Sequence, residues 1–232
     1  MIVFMYHSIQ ATDLNQSRLI VREEYFKKQI DFIARKYKVI DIRDMGKYLT
    51  DDKAALITFD DGYIDNYTIA YKYFEQKKLP FTIFLATNIL NTTMQLRGVT
   101  IDGLTNGMIE EMHSSGLAYF GSHTHSHLQF DQNNPETLIA DIENNIKIIN
   151  NIVGYEPDYF CYPKNRLNSS MVDYLSSKFE LCFQDSGIVN PFGDPLRVNR
   201  IELTDKTKWW KMLWRYYKIK HLYYRLRGYN QL

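Results

Sequence analysis

Residues 55–62 read Ala-Leu-Ile-Thr-Phe-Asp-Asp-Gly, an apolar and β-branched run that stops on two adjacent carboxylates and a glycine. A continuous apolar run of this length, closed by a turn signal, marks a strand buried on both faces, as in a parallel sheet covered by helices. Comparable runs lie at 2–6 (IVFMY), 38–42 (KVIDI), 81–86 (FTIFLA), 118–122 (AYFGS), 158–162 (DYFCY), 180–184 (ELCFQ) and 198–203. Helical patterns separate them. Apolar residues recur at helical spacing over Val21–Tyr37, Ile64–Lys77 runs to a Leu79-Pro80 stop, and Pro135–Val153 opens on proline and ends before Gly154. Strands alternating with helices predict an α/β fold, and about seven strands suit a closed (β/α)7 barrel. The alternative, an open doubly wound sheet, would carry a glycine-rich turn after its first strand, where Tyr6-His7-Ser8-Ile9 stands instead.

Barrel enzymes place their chemistry at the C-terminal ends of the strands. There the sequence sets His7, then Asp60 and Asp61, then His123, His125 and His127, then Pro163 and Lys164. Four of the six histidines and an adjacent Asp pair thus converge on one rim. Alone, Asp-Asp-Gly is an ordinary turn or helix cap, and a lone histidine is an ordinary hydrogen-bonding residue. Together they match a catalytic metal site, which takes three protein ligands and leaves a position for water. Two histidines four residues apart can chelate one ion, a carboxylate can complete the set, and a second carboxylate can act as base.

These residues also carry a resemblance. Thr58-Phe59-Asp60-Asp61-Gly62 and His123-Thr124-His125-Ser126-His127 are similar to the first two motifs of the NodB-homology polysaccharide deacetylases. Tyr6-His7-Ser8-Ile9 and Phe160-Cys161-Tyr162-Pro163 resemble one branch of that family, and the similarity runs from about residue 1 to about 203. The resemblance implies a distorted seven-stranded (β/α) barrel and a metal-dependent hydrolase that removes acetyl groups from sugars. It implies Asp60 as general base, Asp61, His123 and His127 as ligands of one divalent ion with zinc the first candidate, and the Lys164 backbone N–H as oxyanion donor. Tyr63, Tyr162 and Pro163, beside these motifs, are the expected substrate contacts.

Three departures from the family pattern stand out. Cys161 occupies the place of an arginine that orients the base, and Arg200 is expected to substitute for it. The tryptophan-bearing fourth motif is not evident. The late Leu-x-His motif that supplies the general acid is absent, leaving His7 or His125 to return the proton, since Ile219-Lys-His221 lies in the tail. A barrel that kept glycan binding and lost turnover, or an adaptor working through the tail, is the alternative reading.

The 232 residues carry 28 Lys+Arg and 27 Asp+Glu, with 45% apolar residues, a globular composition. Two cysteines exclude a disulfide framework, and both fall in apolar runs as buried thiols. No run of about 18 apolar residues occurs, and the N-terminus lacks a signal peptide's basic region, so a cytoplasmic location is expected. The charge is uneven. Residues 206–232 hold eight Lys/Arg, no acid, all three tryptophans and five tyrosines, which divides the chain into a barrel over 1–205 and a basic aromatic tail. Trp209, Met212, Tyr216, Ile219, Tyr223 and Leu226 would form one stripe of a helix, either packed on the barrel or lying on an anionic membrane surface. The expected partners are therefore an N-acetylated saccharide and the inner face of the cell membrane. Without a recognisable RNA-binding motif, no nucleic acid is expected.

Overall fold

A computed structural model of the chain describes residues 1–10, 19–96, 99–165, 168–185 and 194–205. Seven parallel strands close a barrel: β1 (Ile2–Tyr6), β2 (Ala54–Asp61), β3 (Phe81–Leu85), β4 (Ala118–Ser122), β5 (Tyr159–Cys161), β6 (Leu181–Asp185) and β7 (Val198–Glu202). Each pairs with the next in chain order, and β1 joins the ends by pairing Phe4 with Ile57 of β2 and with Ile201 of β7. Alternation along the strands sorts the side chains into two cores. Val3, Leu56, Phe84, Cys161, Phe183 and Val198 form one cluster, the barrel filling. Ile2, Phe4, Ala55, Ile57, Phe59, Ile83 and Leu85 belong to another that meets the helices. A barrel this narrow leaves little interior volume. At Gly121 a Cβ would lie 2.5 Å from the Phe84 ring.

Among the described residues, five helices of six or more residues flank the strands: α1 (Glu23–Lys36), α2 (Lys72–Lys77), α3 (Asn106–Ser114), α4 (Pro135–Val153) and α5 (Val172–Lys178). The α4 boundaries follow from its ends. Asn134 accepts a hydrogen bond from the Thr137 N–H at the start, Pro135 stands in the first turn, and Gly154 at φ 80° ends it. Its Leu138, Ile142, Ile146 and Ile149 are buried, and so is Asn145 on the same face.

Several expected boundaries shift. In the 38–42 run only Lys38–Val39 is extended, pairing at the foot of β2, because the Asp41 side chain accepts the Arg43 N–H and starts a 3-10 turn over Ile42–Asp44. The first helix begins two residues late, since Ile20–Arg22 forms a short strand against Ser8–Gln10. Before α2, residues Asn66–Tyr71 form a π-turn. Helices α3 and α5 and an antiparallel hairpin, Thr93–Leu96 with Val99–Asp102, have no counterpart in the sequence reading. The expected tail helix lies outside the described residues. No helix among the described residues is long and apolar enough to cross a membrane.

Candidate active site

The C-terminal ends of the strands open on a cavity of about 670 Å³, lined by His7, Asp60, Asp61, Tyr63, His123, His127, Tyr162, Lys164 and Arg200 among others. Asp60 shares its side of β2 with Leu56 and Thr58, so its carboxylate points into the barrel. Regular pleating would send the next side chain outward. Instead Asp61 takes φ 72° and Gly62 φ 95°, and this left-handed bend brings both carboxylates to the cavity. Glycine is required after the pair. A side chain there would combine the positive φ with a Cβ 2.7 Å from Leu85 Cδ2.

The histidines are held by a second built turn. His123 donates its backbone N–H to Leu85 O, and Thr124 and His127 both take left-handed backbone angles (φ 63° and 53°). From α4, Asp141 accepts the backbone N–H groups of His125 and Ser126, and the Asn145 side-chain amide donates to Leu85 O and Thr124 O. His123 and His127 Nε2 come within 3.6 and 3.5 Å of Asp61 Oδ1. The backbone carbonyl of Cys161 lies 2.8 Å from His123 Nδ1, which assigns that nitrogen the proton and leaves Nε2 as a lone pair facing Asp61. Burial pushes His123 down to about 4, against the pull of Asp60 and Asp61, so the ring is neutral at physiological pH.

Two imidazole nitrogens and one carboxylate oxygen, all within 4.8 Å of one another, fit a divalent first-row ion in type, number and spacing. Asp60, His123 and Cys161 form a second group of that size, but the guanidinium of Arg200 already occupies it. Arg200 Nη1 and Nη2 each lie 2.6 Å from an oxygen of Asp60, and Nη2 lies 2.9 Å from Cys161 Sγ. Burial also raises the Cys161 thiol well above its ordinary value, which keeps it protonated and a poor ligand. Burial opposes ionisation of Asp60 too, yet the charge and hydrogen bonds of Arg200 prevail and hold that carboxyl well below the usual carboxylate range.

The remaining expected residues divide. His7 lines the cavity, with Nε2 3.9 Å from Asp60 Oδ2. His125 turns away: its Nδ1 lies 2.9 Å from Thr87 Oγ1, and it is not among the cavity residues. Tyr63 lines the wall and hydrogen-bonds Asp61; burial, with Asp61 beside it, raises its phenol strongly. Tyr162 and Lys164 also line the cavity, Lys164 in a left-handed conformation (φ 54°), whereas Pro163 is not a lining residue and opens the turn Pro163–Asn165. The sequence reading did not include Ile89 and Met94 of the wall, nor Asp65, Asn66, Asp141 and Asn145 beneath it. Of these, only the polar residues on the apolar face of α4 leave a trace in the sequence.

Comparison with known proteins agrees with this arrangement. The family model described as "Polysaccharide deacetylase" matches residues 47–178, more than half of the chain. A curated relative from Bacillus subtilis (strain 168), named "Putative polysaccharide deacetylase YxkH", is 27% identical over 172 residues. That match covers 72% of this chain and 57% of the relative, so the chain spans little more than half the relative's length. Among solved structures, the Streptococcus pyogenes deacetylase PplD in complex with acetate superposes with a TM-score of 0.79 at 21% identity, over 93% of this chain and 97% of that one. IcaB from Ammonifex degensii gives a TM-score of 0.77 at 24% identity, over 92% and 95%. At these identities the two structures establish the barrel fold.

Proposed function

Because the chain belongs to the polysaccharide deacetylase family, we propose that it hydrolyses the acetamide of an N-acetylated amino sugar within a saccharide. The observation that carries this reading is the Asp61–His123–His127 cluster, set beside an Asp60 carboxylate that Arg200 holds ionised. A divalent ion on those three residues, zinc being the first candidate, would supply Lewis acidity toward the acetyl carbonyl and the attacking water.

The chain's own groups account for the proton transfers. Asp60 accepts the proton of the attacking water, and its pair with Arg200 keeps it charged and aimed. The Lys164 backbone N–H donates to the oxygen that becomes negative as the carbonyl carbon turns tetrahedral. His7 delivers a proton to the departing amine; with Nε2 facing the cavity it is the better placed of the two candidate histidines, and His125 is assigned to holding Thr87. Tyr63 steadies Asp61, and Tyr162 offers a wall to the sugar.

The saccharide in this proposal is carried on a lipid or a nucleotide, with the basic aromatic segment 206–232 against an anionic membrane surface. The support is composition: eight positive charges and eight aromatics in 27 residues suit the anionic inner leaflet. Metal content tests the ion site. Purified protein is expected to hold about one equivalent of divalent metal, lost in His127→Ala. Equal metal in both proteins would remove His127 from the ligand set.

A further inference from the structure

One buried carboxylate at the rim takes no part in the chemistry above. Asp65 lies four residues after Asp61, 7% exposed. Its Oδ2 accepts the Ser8 hydroxyl at 2.5 Å, its carboxylate accepts the Ile9 backbone N–H, and its Oδ1 accepts the Asn66 side-chain amide at 2.9 Å. The same Asn66 amide nitrogen donates to the backbone carbonyl of His7 at 2.8 Å. Asp65 and Asn66 therefore grip three consecutive residues, His7, Ser8 and Ile9, where the chain has just left β1 and its only strand pairing among the described residues is the short one of Ser8–Gln10 with Ile20–Arg22.

The grip costs stability. Burial pushes the Asp65 carboxyl up to about 7, with the bonds from Ser8, Ile9 and Asn66 pulling the other way. A fold needing only to close this turn could do so with neutral groups, and a buried acid with a strongly shifted pKa beside a cavity points to function. Geometry says which function. Across the turn from the grip stands the His7 imidazole, 3.9 Å from Asp60, and the gripping residues belong to the same segment as Asp60 and Asp61. These bonds tie the segment that carries His7 directly to the turn that follows Asp60 and Asp61.

We propose that Asp65, acting with Asn66, is a positioning residue that holds His7 over the cavity for proton delivery to the leaving amine. This rests on the assignment of His7 as general acid. The consequence is selective. An amine leaves only when protonated, whereas p-nitrophenolate departs from an aryl acetate without a proton, so loss of His7 alignment affects the first reaction and spares the second.

The test compares an N-acetylated amino sugar oligomer with p-nitrophenyl acetate, using metal-loaded full-length protein, with melting temperature and metal content as controls. Asp65→Ala is expected to lower kcat on the amide by about 100-fold and to change aryl-ester turnover by no more than about threefold. His7→Ala is expected to show the same selectivity, with the double variant no worse than His7→Ala alone. Should Asp65→Ala fail to fold, Ser8→Ala removes one arm of the grip and is expected to show the same selectivity in weaker form. Equal losses on both substrates, or losses that multiply in the double variant, would overturn the positioning role while leaving His7 as acid. An amide-to-ester ratio unchanged in His7→Ala would overturn the acid assignment itself, and the role of Asp65 with it.

Discussion

Arg200 touches Asp60 with both terminal nitrogens, contacts Thr58 Oγ1 at 3.2 Å, and is 1% exposed. Removing it would leave a buried carboxylate unpaired, at a cost on the order of 3–5 kcal/mol, a large share of a typical domain's stability. Arg200→Ala should therefore melt far lower than the wild type. With the guanidinium gone, burial alone would act on Asp60 and raise its pKa. The base would then be protonated at a higher pH than in the wild type, and the acid limb of the kcat profile should move upward. An unchanged limb would show that Arg200 does not control the base. Position made Arg200 legible in the sequence, because it lies within the last strand-like run, 198–203, where alternation turns it inward with Val198. Asp65 was not legible. Ile64–Lys77 reads as one helix in which Asp65 is an ordinary first-turn acid, and its burial depends on Ser8, 57 residues away. His125 stays open beside His7 in the sequence for a related reason: a short His-x-His-x-His segment cannot say which rings face inward, and in the structure Asp141 from α4 holds the His125 backbone.

At the level of elements, legibility tracked how much of the signal is local. Barrel strands with both faces buried appear as unbroken apolar runs, and β1 and β4 match their expected bounds residue for residue. Helix α4 does as well, since cap, proline and glycine are all written in the chain. The 38–42 run has strand composition, but the Asp41 cap overrides it after two residues. The short helix α3 carries Gly107 and only two buried side chains, Ile109 and Met112, too few for a period to show. In the hairpin 93–102, the residues alternate weakly, and its place over the cavity follows from anchors elsewhere: Tyr63 bridges Gly103, and Leu104 N–H donates to Gly62 O. That anchoring sets Met94 in the cavity wall.

For the whole molecule, closure of the barrel was an expectation drawn from the number of strands, and the β7–β1 pairing meets it. The same closure brings the end of the described chain back toward the cavity. Glu202 lines the cavity, and Asp205, three residues on, is held at the start of α1 by Arg22, whose Nε lies 2.6 Å from Asp205 Oδ2. Three residues span at most about 10 Å, so Asp205, the last described residue, lies close to the cavity rim. On vesicles rich in anionic phospholipid, the full-length protein is expected to float at low salt and to release as salt rises. A 1–205 truncation should stay in solution, and flotation of the truncation would exclude the tail as the anchor.

The central claim is hydrolysis of a sugar acetamide by Asp60 beside the Asp61–His123–His127 cluster. Its most direct test is acetate released from an N-acetylated amino sugar oligomer by metal-loaded wild type and by Asp60→Asn, which keeps the shape of the base and removes its charge. Free acetate with a matching new amine is expected from the wild type, and a rate lower by about 100-fold or more from the variant with its metal still bound. Acetate release at the wild-type rate from Asp60→Asn, or none from fully loaded wild type on any such oligomer, would contradict it.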